Sequence, residues 1–231
     1  MSVWIILLIV FAVIFVLMIL CAGLGVGLML PAVQQARTAA RMTVSQNNLH
    51  KIGIAILNYE STYRSLPPAY VTDGQGKPLY SWRVVILPYF GEGALYNEFH
   101  LDEPWDSPHN ILLLNRMPAI YRSPTEPNVL PTNSSFVAPV DPKAAVNVPP
   151  HKITKIIDGL SNTIFVFEVA NSSTPWSAPD SMTTGQIIQA NAGQTKPALM
   201  GDASVSNMNF SNPANINAGV TIDGGEVMNG Q

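Results

Sequence analysis

VWIILLIVFAVIFVLMILCAGLGVGLML, residues 3–30, runs for 28 residues without a charged side chain. A helix needs about 20 apolar residues to cross the roughly 30 Å of hydrocarbon in a bilayer. The run exceeds that length, and it is too long for the apolar core of a secretory signal, which spans about 7 to 15 residues. The sequence therefore predicts a retained transmembrane helix over residues 1–31.

The sequence after this run keeps a helical pattern. Apolar side chains recur every three to five residues, as on one face of an α-helix, at Val33, Ala36, Ala40, Val44, Leu49, Ile52, Ile56, Tyr59 and Tyr63. Pro67 and Pro68 end the pattern, because a residue before proline is driven out of the α region. We therefore expect a helix over residues 32–64 that continues the membrane span into a folded domain.

The remaining sequence predicts an antiparallel sheet. Residues 65–150 are rich in proline and have short apolar runs, which predicts irregular structure with short helices. Residues 163–169, TIFVFEV, form the best strand pattern in the chain. Shorter runs separated by turn residues predict further strands at 186–189, 198–201, 204–210 and 219–222. The predicted fold class is α+β, with a long N-terminal helix packed on an antiparallel sheet over residues 151–227, so that residues 32–231 form one domain.

Three shorter segments have a less definite pattern. Residues 79–87 fit a strand or a second helix, and residues 94–99 fit a helical turn because Leu95 and Phe99 lie four residues apart. Residues 135–140 fit an edge strand.

The composition excludes several function classes. The net charge is −3 and there is no basic stripe, so no nucleic-acid partner is expected. The single cysteine, Cys21, lies in the apolar run, which excludes a disulfide or a cysteine metal cluster in the domain. The sequence contains no phosphate-binding glycine loop, no Gly-x-Ser-x-Gly elbow and no His-Glu-x-x-His pair. We therefore expect a protein that is not an enzyme and holds no cofactor.

One acidic segment offers a candidate metal site. Asp102, Glu103 and Asp106 lie within five residues of each other, and carboxylate oxygens are the ligands that Ca²⁺ prefers. Prolines and Trp105 in the same segment fit a rigid loop instead, in which Asp and Asn side chains cap turns. Both interpretations remain open from the residues: a calcium site at Asp102, Glu103 and Asp106, or a structural loop.

A second polar cluster precedes the best strand. Asp158, Ser161 and Asn162 come just before it, and Glu168 lies near its end. A catalytic set is one interpretation, but no general base is placed by the spacing. The other interpretation is that these side chains form hydrogen bonds to their own backbone and shape the entry to the strand.

Small residues recur along the predicted span and the helix after it. Close approach of another helix is favoured by small residues at four-residue spacing, here Gly23, Gly27, Ala32, Ala36 and Ala40. These positions predict a helix-packing face for copies of the chain or for related subunits.

Several strings of residues resemble one family of bacterial proteins. The helix after the span carries Leu30-Pro31-Ala32-Val33-Gln34-Gln35-Ala36-Arg37 and Gln46-Asn47-Asn48-Leu49. The domain adds Ser81-Trp82-Arg83-Val84, Glu103-Pro104-Trp105-Asp106-Ser107-Pro108-His109-Asn110 and Tyr121-Arg122-Ser123-Pro124. Later strings are Pro175-Trp176, Pro179-Asp180, Gly201-Asp202 and Asp223-Gly224-Gly225-Glu226-Val227. Together they resemble the DUF1559 proteins, a bacterial group with type IV pilin-like N-termini.

The resemblance implies a pilin or pseudopilin-like structural protein. In such proteins the upper half of a hydrophobic N-terminal helix packs on an antiparallel sheet, and the domain is displayed outside the cytoplasmic membrane. The implied partners are the lipid bilayer and other pilin-like subunits. The alternative is a tethered extracytoplasmic binding module for a small molecule or Ca²⁺.

Two features of the sequence depart from these expectations. Arg37, Arg41 and Lys51 follow the span and no basic residue precedes it, so the positive-inside rule places the domain in the cytoplasm, opposite to the resemblance. The family's basic start and Gly-Phe-Thr-Leu-Ile-Glu processing site are replaced by MSVWIILL, and its His-x9-Asp-Gly pattern has Ala192 and Ala203 at the His and Gly positions. Processing of the N-terminus and any function of that pattern are therefore not implied.

Overall fold

The computed structural model describes residues 2–224, and for residues 20–31 it describes the helical backbone without side chains. The chain divides into two compact units, Met1–Arg41 and Met42–Gln231. Helix α1, Val3–Tyr63, contributes to both units. The α+β fold class predicted from the sequence is confirmed, with five α-helices and a four-stranded antiparallel sheet in the described part of the chain.

The first unit is helical and exposes apolar side chains. Residues 2–19 are all exposed, and Trp4, Leu8 and Phe11 keep 77%, 69% and 70% of their surface accessible. Among the residues whose side chains are described, no helix has the length and hydropathy to cross a membrane. The predicted span over residues 1–31 includes residues 20–31, whose side chains lie outside that description.

In the second unit, α1 packs on the sheet. Leu49, Ile52 and Ile56 are completely buried, as expected for the apolar face of an amphipathic helix. Gly53 lies on the same face, and a Cβ atom there would be 2.7 Å from Leu199 Cδ1 and 2.8 Å from Ala203 Cβ. Only glycine lets the helix approach the strands this closely.

The main sheet has the strand order β3-β4-β5-β6 and is antiparallel throughout. The strands are β3 Phe136–Val137, β4 Ile164–Glu168, β5 Thr195–Met200 and β6 Val205–Asn209. Adjacent strands pair Phe167 with both Val137 and Ala198, and Leu199 with Val205. The sheet therefore begins before residue 151, at β3, and the edge strand predicted over 135–140 is a two-residue strand.

Alternate side chains of the strands enter two hydrophobic clusters. The inner cluster contains Val166 and Leu199 together with buried apolar residues of α1. The outer cluster contains Phe167 and Met200 together with residues from two short helices. Since successive side chains of a strand point to opposite faces, the sheet is covered on both sides.

The helices of the outer cluster are α4, Thr184–Ala190, and α5, Pro213–Val220. The strand expected at 186–189 is therefore wrong, since α4 covers that segment. The strand expected at 219–222 is also wrong, since Gly219 and Val220 end α5 and Thr221 forms an isolated bridge with Ala144. Thr183 and Gln186 form a capping box that starts α4, and Pro213 lies at the start of α5, where its missing N–H is not needed.

The segment between α1 and β3 consists of short elements. Strands β1, Tyr70–Thr72, and β2, Pro78–Ser81, form a hairpin, followed by α2, Trp82–Val85, and α3, Gly93–Glu98. Residues 79–87 thus divide between the end of β2 and α2, and the helical turn predicted over 94–99 is confirmed. Single-turn and longer 3-10 helices connect the rest of the fold, at Leu87–Phe90, Asn110–Arg116, Ala119–Tyr121, Ile153–Lys155 and Leu160–Asn162.

Candidate functional site

The predicted helix-packing face is exposed where the structure describes it. Ala32, Ala36 and Ala40 are all exposed on α1. Gly23 and Gly27 fall within residues 20–31 and lie outside the described side chains. The packing role of these positions stays a prediction.

A buried ion pair lies at the centre of the domain. Arg83 Nη2 donates to Asp180 Oδ1 at 2.7 Å, and both side chains are completely buried. The second carboxylate oxygen of Asp180 accepts from Trp82 Nε1 at 2.8 Å and from the Ala138 backbone N–H at 3.0 Å. Arg83 Nε also donates to the Phe136 carbonyl at 3.1 Å. We call Trp82, Arg83 and Asp180 the Arg83–Asp180 cluster.

Aromatic side chains surround this cluster. The Tyr121 hydroxyl donates to the Arg83 carbonyl at 2.7 Å, and its complete burial raises the pKa of that hydroxyl well above 10.0. Tyr121 stacks on Trp176 with ring centroids 5.9 Å apart, and Trp176 Nε1 donates to the Leu114 carbonyl at 3.1 Å. Each of these contacts supports the structural role of the pair, because buried ions require hydrogen-bonded partners.

A second buried polar cluster joins α1 to the sheet. The carboxylate of Glu168, at the end of β4, accepts hydrogen bonds from Ser45 of α1 and from Thr125. Lys196 Nζ lies 3.5 Å from Glu168 Oε1 and also pairs with Glu126. The side chains of Glu168, Lys196 and Glu126 are 0%, 9% and 10% exposed. We call Ser45, Thr125, Glu126, Glu168 and Lys196 the Glu168 cluster.

The charged groups of the Glu168 cluster are paired with one another. Both carboxylates accept hydrogen bonds from the protein, because Glu126 Oε2 also accepts from the Asn171 backbone N–H at 3.2 Å. Lys196 lies between the two carboxylates, which keeps its ammonium group paired. A nucleophile would need a free base beside it, and these groups are already committed to one another.

The polar cluster predicted around residues 158–168 is divided by the fold. The Asn162 side chain donates to the Asp158 carbonyl at 3.0 Å, which shapes the turn before β4. Glu168 lies at the other end of that strand and belongs to the Glu168 cluster. The hydrogen bond of Asn162 is therefore the one expected if these side chains shape the entry to the strand.

The acidic loop is closed by Asn110. Its buried side-chain amide donates to the carbonyls of His100 and Pro104 at 2.9 and 3.1 Å, and its side-chain oxygen accepts from the His100 N–H at 3.0 Å. A further bond of 3.3 Å runs to the Glu103 carbonyl. The side chain of a single asparagine thus binds four backbone groups of this turn, which agrees with the rigid-loop interpretation.

The side chains of the loop are arranged around Glu103. Hydrogen bonds from Ser107 and then from His100 lower the pKa of the Glu103 carboxyl from its ordinary value of 4.5. The rings of His100 and His109 are stacked at 3.6 Å. Among the described residues, no group of three or more His, Cys, Asp or Glu side chains is arranged to hold a metal ion. The calcium site at Asp102, Glu103 and Asp106 stays a prediction from the sequence.

Tyrosines gather where α1 ends. Tyr59 lies 4.5 Å from Tyr63 and 5.9 Å from Tyr89, measured between ring centroids. Burial, with a smaller contribution from the Tyr96 and Tyr59 hydroxyls, raises the pKa of Tyr80 from 10.0 to about 12.

A comparison with protein families identifies the chain's relatives. A family model described as "Protein of unknown function (DUF1559)" matches residues 34–149, half of the chain. The chain belongs to the DUF1559 family. No curated protein and no solved structure was found to match it.

The fold explains several of the strings that resemble the DUF1559 family. Ser81-Trp82-Arg83-Val84 and Pro179-Asp180 meet in the Arg83–Asp180 cluster. The glycine position of the His-x9-Asp-Gly pattern is Ala203, whose φ of +66° is in the left-handed region that favours glycine. His50 Nδ1 lies 2.8 Å from the Ala203 carbonyl and links this turn to α1.

Sequence reasoning missed the Glu168 cluster and the ion pair at Arg83. Ser45 and Glu168 are 123 residues apart, and Arg83 and Asp180 are 97 apart. The only local signal was a polar or charged residue inside an otherwise apolar run, as at Glu168 in TIFVFEV and Arg83 in SWRVV. Such a residue indicates that a buried partner is present, but it does not show which residue the partner is.

Proposed function

We propose that this DUF1559 chain is a non-enzymatic, pilin-like or pseudopilin-like structural protein. A single span anchors it in the cytoplasmic membrane, and the α+β domain lies on the extracytoplasmic side. The proposal rests on one observation, the apolar surface of α1, whose side chains at residues 3–19 are exposed around the whole helix. An apolar surface of this extent needs a cover of lipid or of other chains.

The second half of α1 supports the pilin-like part of the proposal. Leu49, Ile52 and Ile56 are buried against an antiparallel sheet, and Ser45 is hydrogen-bonded to Glu168 at the end of β4. The same helix that carries the uncharged run is therefore part of the domain core.

Assembly is proposed to use the small residues of the first unit. Ala32, Ala36 and Ala40 are exposed at four-residue spacing, which lets a second helix approach closely. The partner is another copy of the chain or a related pilin-like subunit.

The anchor is tested by fractionating cells that produce the full chain or a variant lacking residues 3–30. The full chain is expected to stay with the membrane pellet after an alkaline carbonate wash, whereas the deletion variant is expected in the supernatant. A full chain released by the wash would refute the anchor.

The orientation is tested with single cysteines in a Cys21→Ser background. Ser173 is exposed in the domain and Ser2 precedes the apolar run. A membrane-impermeant maleimide is expected to label Ser173→Cys in spheroplasts and Ser2→Cys only after lysis. The reverse pattern would place the domain in the cytoplasm and refute the proposal.

Assembly is tested by oxidative cross-linking in the same background. Ala36→Cys is expected to form disulfide-linked dimers in membranes, whereas Thr38→Cys, exposed two residues away on another face, is expected to form fewer. Equal cross-linking at both positions, or none at either, would exclude this packing face while leaving the anchor.

A further inference from the structure

A groove runs beside α1 in the second unit. It consists of two adjoining depressions of about 320 and 410 Å³ that share Lys51, Ala119 and Ile120. One wall is α1, and the other is formed by the residues around Phe90 and by the 3-10 helix Ala119–Tyr121 with the residues after it.

Most of the groove surface is apolar. Val44 and Ile54 of α1 keep 48% and 43% of their surface exposed, and Tyr89, Phe90 and Ile120 line the opposite wall. Val44 and Ile54 are ten positions apart, which corresponds to about 15 Å along the helix axis. An extended peptide of about four residues has a similar length.

Charged groups lie in this apolar surface. Lys51 and Glu92 both line the first depression, yet within the described residues neither side chain forms a hydrogen bond or an ion pair. Arg122 lines the second depression.

The position of Arg122 is held by the helix. Asn48, which also lines the groove, donates from its side chain to the Arg122 carbonyl at 3.0 Å. The groove therefore presents two cations, at Lys51 and Arg122, and one carboxylate, at Glu92, with apolar side chains around them.

We propose that this groove binds a short, extended apolar peptide with free termini. Its carboxylate pairs with Lys51 and Arg122, its ammonium group pairs with Glu92, and its side chains contact Ile54 and Phe90. A fatty acid would pair with the cations but leave the Glu92 carboxylate without a partner, whereas a peptide satisfies both signs of charge. The site is separate from the proposed membrane anchor and does not depend on it.

The test is calorimetric titration of the purified full chain with Ala-Leu-Ala, Ala-Phe-Ala and Ala-Leu-Leu-Ala. At least one peptide is expected to bind with a Kd of about 1 mM or tighter. Lys51→Gln is expected to weaken binding about tenfold, and Lys77→Gln, an exposed lysine outside the groove, is expected to bind like the unchanged protein. Lys51 is itself exposed, so both variants should fold.

Modified peptides identify which terminus meets which charge. Amidation of the peptide carboxylate should weaken binding to the unchanged protein and have no further effect on Lys51→Gln. Acetylation of the amino terminus should likewise lose its effect in Glu92→Gln. Such a cycle isolates the pairwise contact from general effects of each change.

Each outcome decides the proposal. Binding that is weakened about tenfold in Lys51→Gln, kept in Lys77→Gln and sensitive to both terminal modifications supports it. Failure of all three peptides to bind at about 10 mM, or equal binding in Lys51→Gln and Lys77→Gln, would overturn it. These results would leave the anchor tests unaffected, so the two proposals can fail separately.

Discussion

Gly53→Ala is expected to destabilise the domain although alanine is the better helix former. The added Cβ would lie 2.7 Å from Leu199 Cδ1, 2.8 Å from Ala203 Cβ and 2.9 Å from Ala203 Cα. The Leu199 side chain can rotate away, but the Ala203 contact includes backbone, and the carbonyl of that residue is hydrogen-bonded to His50 of the same helix. The helix or the turn must therefore move.

The expected magnitude follows from two opposing effects. Overpacking of a core costs about 1–3 kcal/mol, and the better helix propensity of alanine returns up to about 1 kcal/mol. The free energy of unfolding should therefore fall by about 1–2 kcal/mol. For a domain of this size, this corresponds to a decrease in Tm of about 2–8 °C.

Gly185→Ala is the matched control. Gly185 lies in α4, and the nearest atom to an added Cβ is Thr183 Oγ1 at 4.0 Å. The same substitution should there raise the free energy of unfolding by about 0.5 kcal/mol. Urea unfolding followed by fluorescence of the buried Trp82 and Trp176 measures both variants. If Gly53→Ala were as stabilising as Gly185→Ala, the close packing of α1 on β5 would be refuted.

Four further predictions concern buried ions, the acidic loop and titration. Asp180→Ala should lower the free energy of unfolding by about 3–5 kcal/mol because it leaves Arg83 buried and unpaired. Replacing both residues with apolar side chains should restore most of that loss in a double-mutant cycle. Additive losses from the two substitutions would contradict the pairing of Arg83 with Asp180. Asn110→Ala removes four hydrogen bonds and should cost about 2–4 kcal/mol, with faster proteolysis inside residues 100–110 as the local readout. The pKa of Glu103 is lowered in the folded state, so the contribution of its carboxylate to stability is present above about pH 4.5 and is lost as the pH falls below that. Glu103→Gln should therefore be less stable than the unchanged protein at neutral pH. A difference in stability that persists at about pH 2 would argue against the hydrogen bonds of the carboxylate as its cause. The pKa of Tyr80 is raised from 10.0 to about 12, so the contribution of its protonated hydroxyl to stability is complete below pH 10.0 and is lost as the pH rises to about 12. In urea titrations, Tyr80→Phe should therefore lose less stability over that interval than the unchanged protein. The same decrease in stability with pH in both proteins would contradict the raised pKa of Tyr80.

Long and repetitive patterns predicted the α+β class correctly. Of the apolar positions that recur along α1, Leu49, Ile52 and Ile56 are buried, whereas Val33, Val44 and Tyr63 are exposed. Strand β4 was recognisable because it is rich in β-branched and aromatic residues. The α+β class followed from these two elements.

The two short helices on the outer face of the sheet could not be predicted in the same way. Helices α4 and α5 have seven and eight residues, which is about two turns, so a period of 3.6 residues is not distinguishable from alternation. Ile187 and Ile216 are buried in the outer cluster, and packing against the sheet therefore decides a structure that local propensity leaves open.

The polar contacts were also beyond sequence reasoning. Glu168 lies in a predicted strand near a polar turn, but its partners Ser45 and Lys196 come from α1 and β5. Arg83 and Asp180 lie in separate strings of the sequence, and no pattern links them. Pairing between distant residues depends on the strand order, which the local patterns of a single sequence do not reveal.

The double cover of the sheet restricts where the chain can change in length. In β5, Leu199 faces the inner cluster and Met200 faces the outer cluster. One inserted residue would exchange their directions, and a side chain shaped for α1 would then meet α4 and α5. A sheet with one solvent-exposed face could tolerate such a one-residue shift on that face. Here the shift would disrupt the packing of both hydrophobic clusters. Length variation among relatives is therefore expected in the connections between strands.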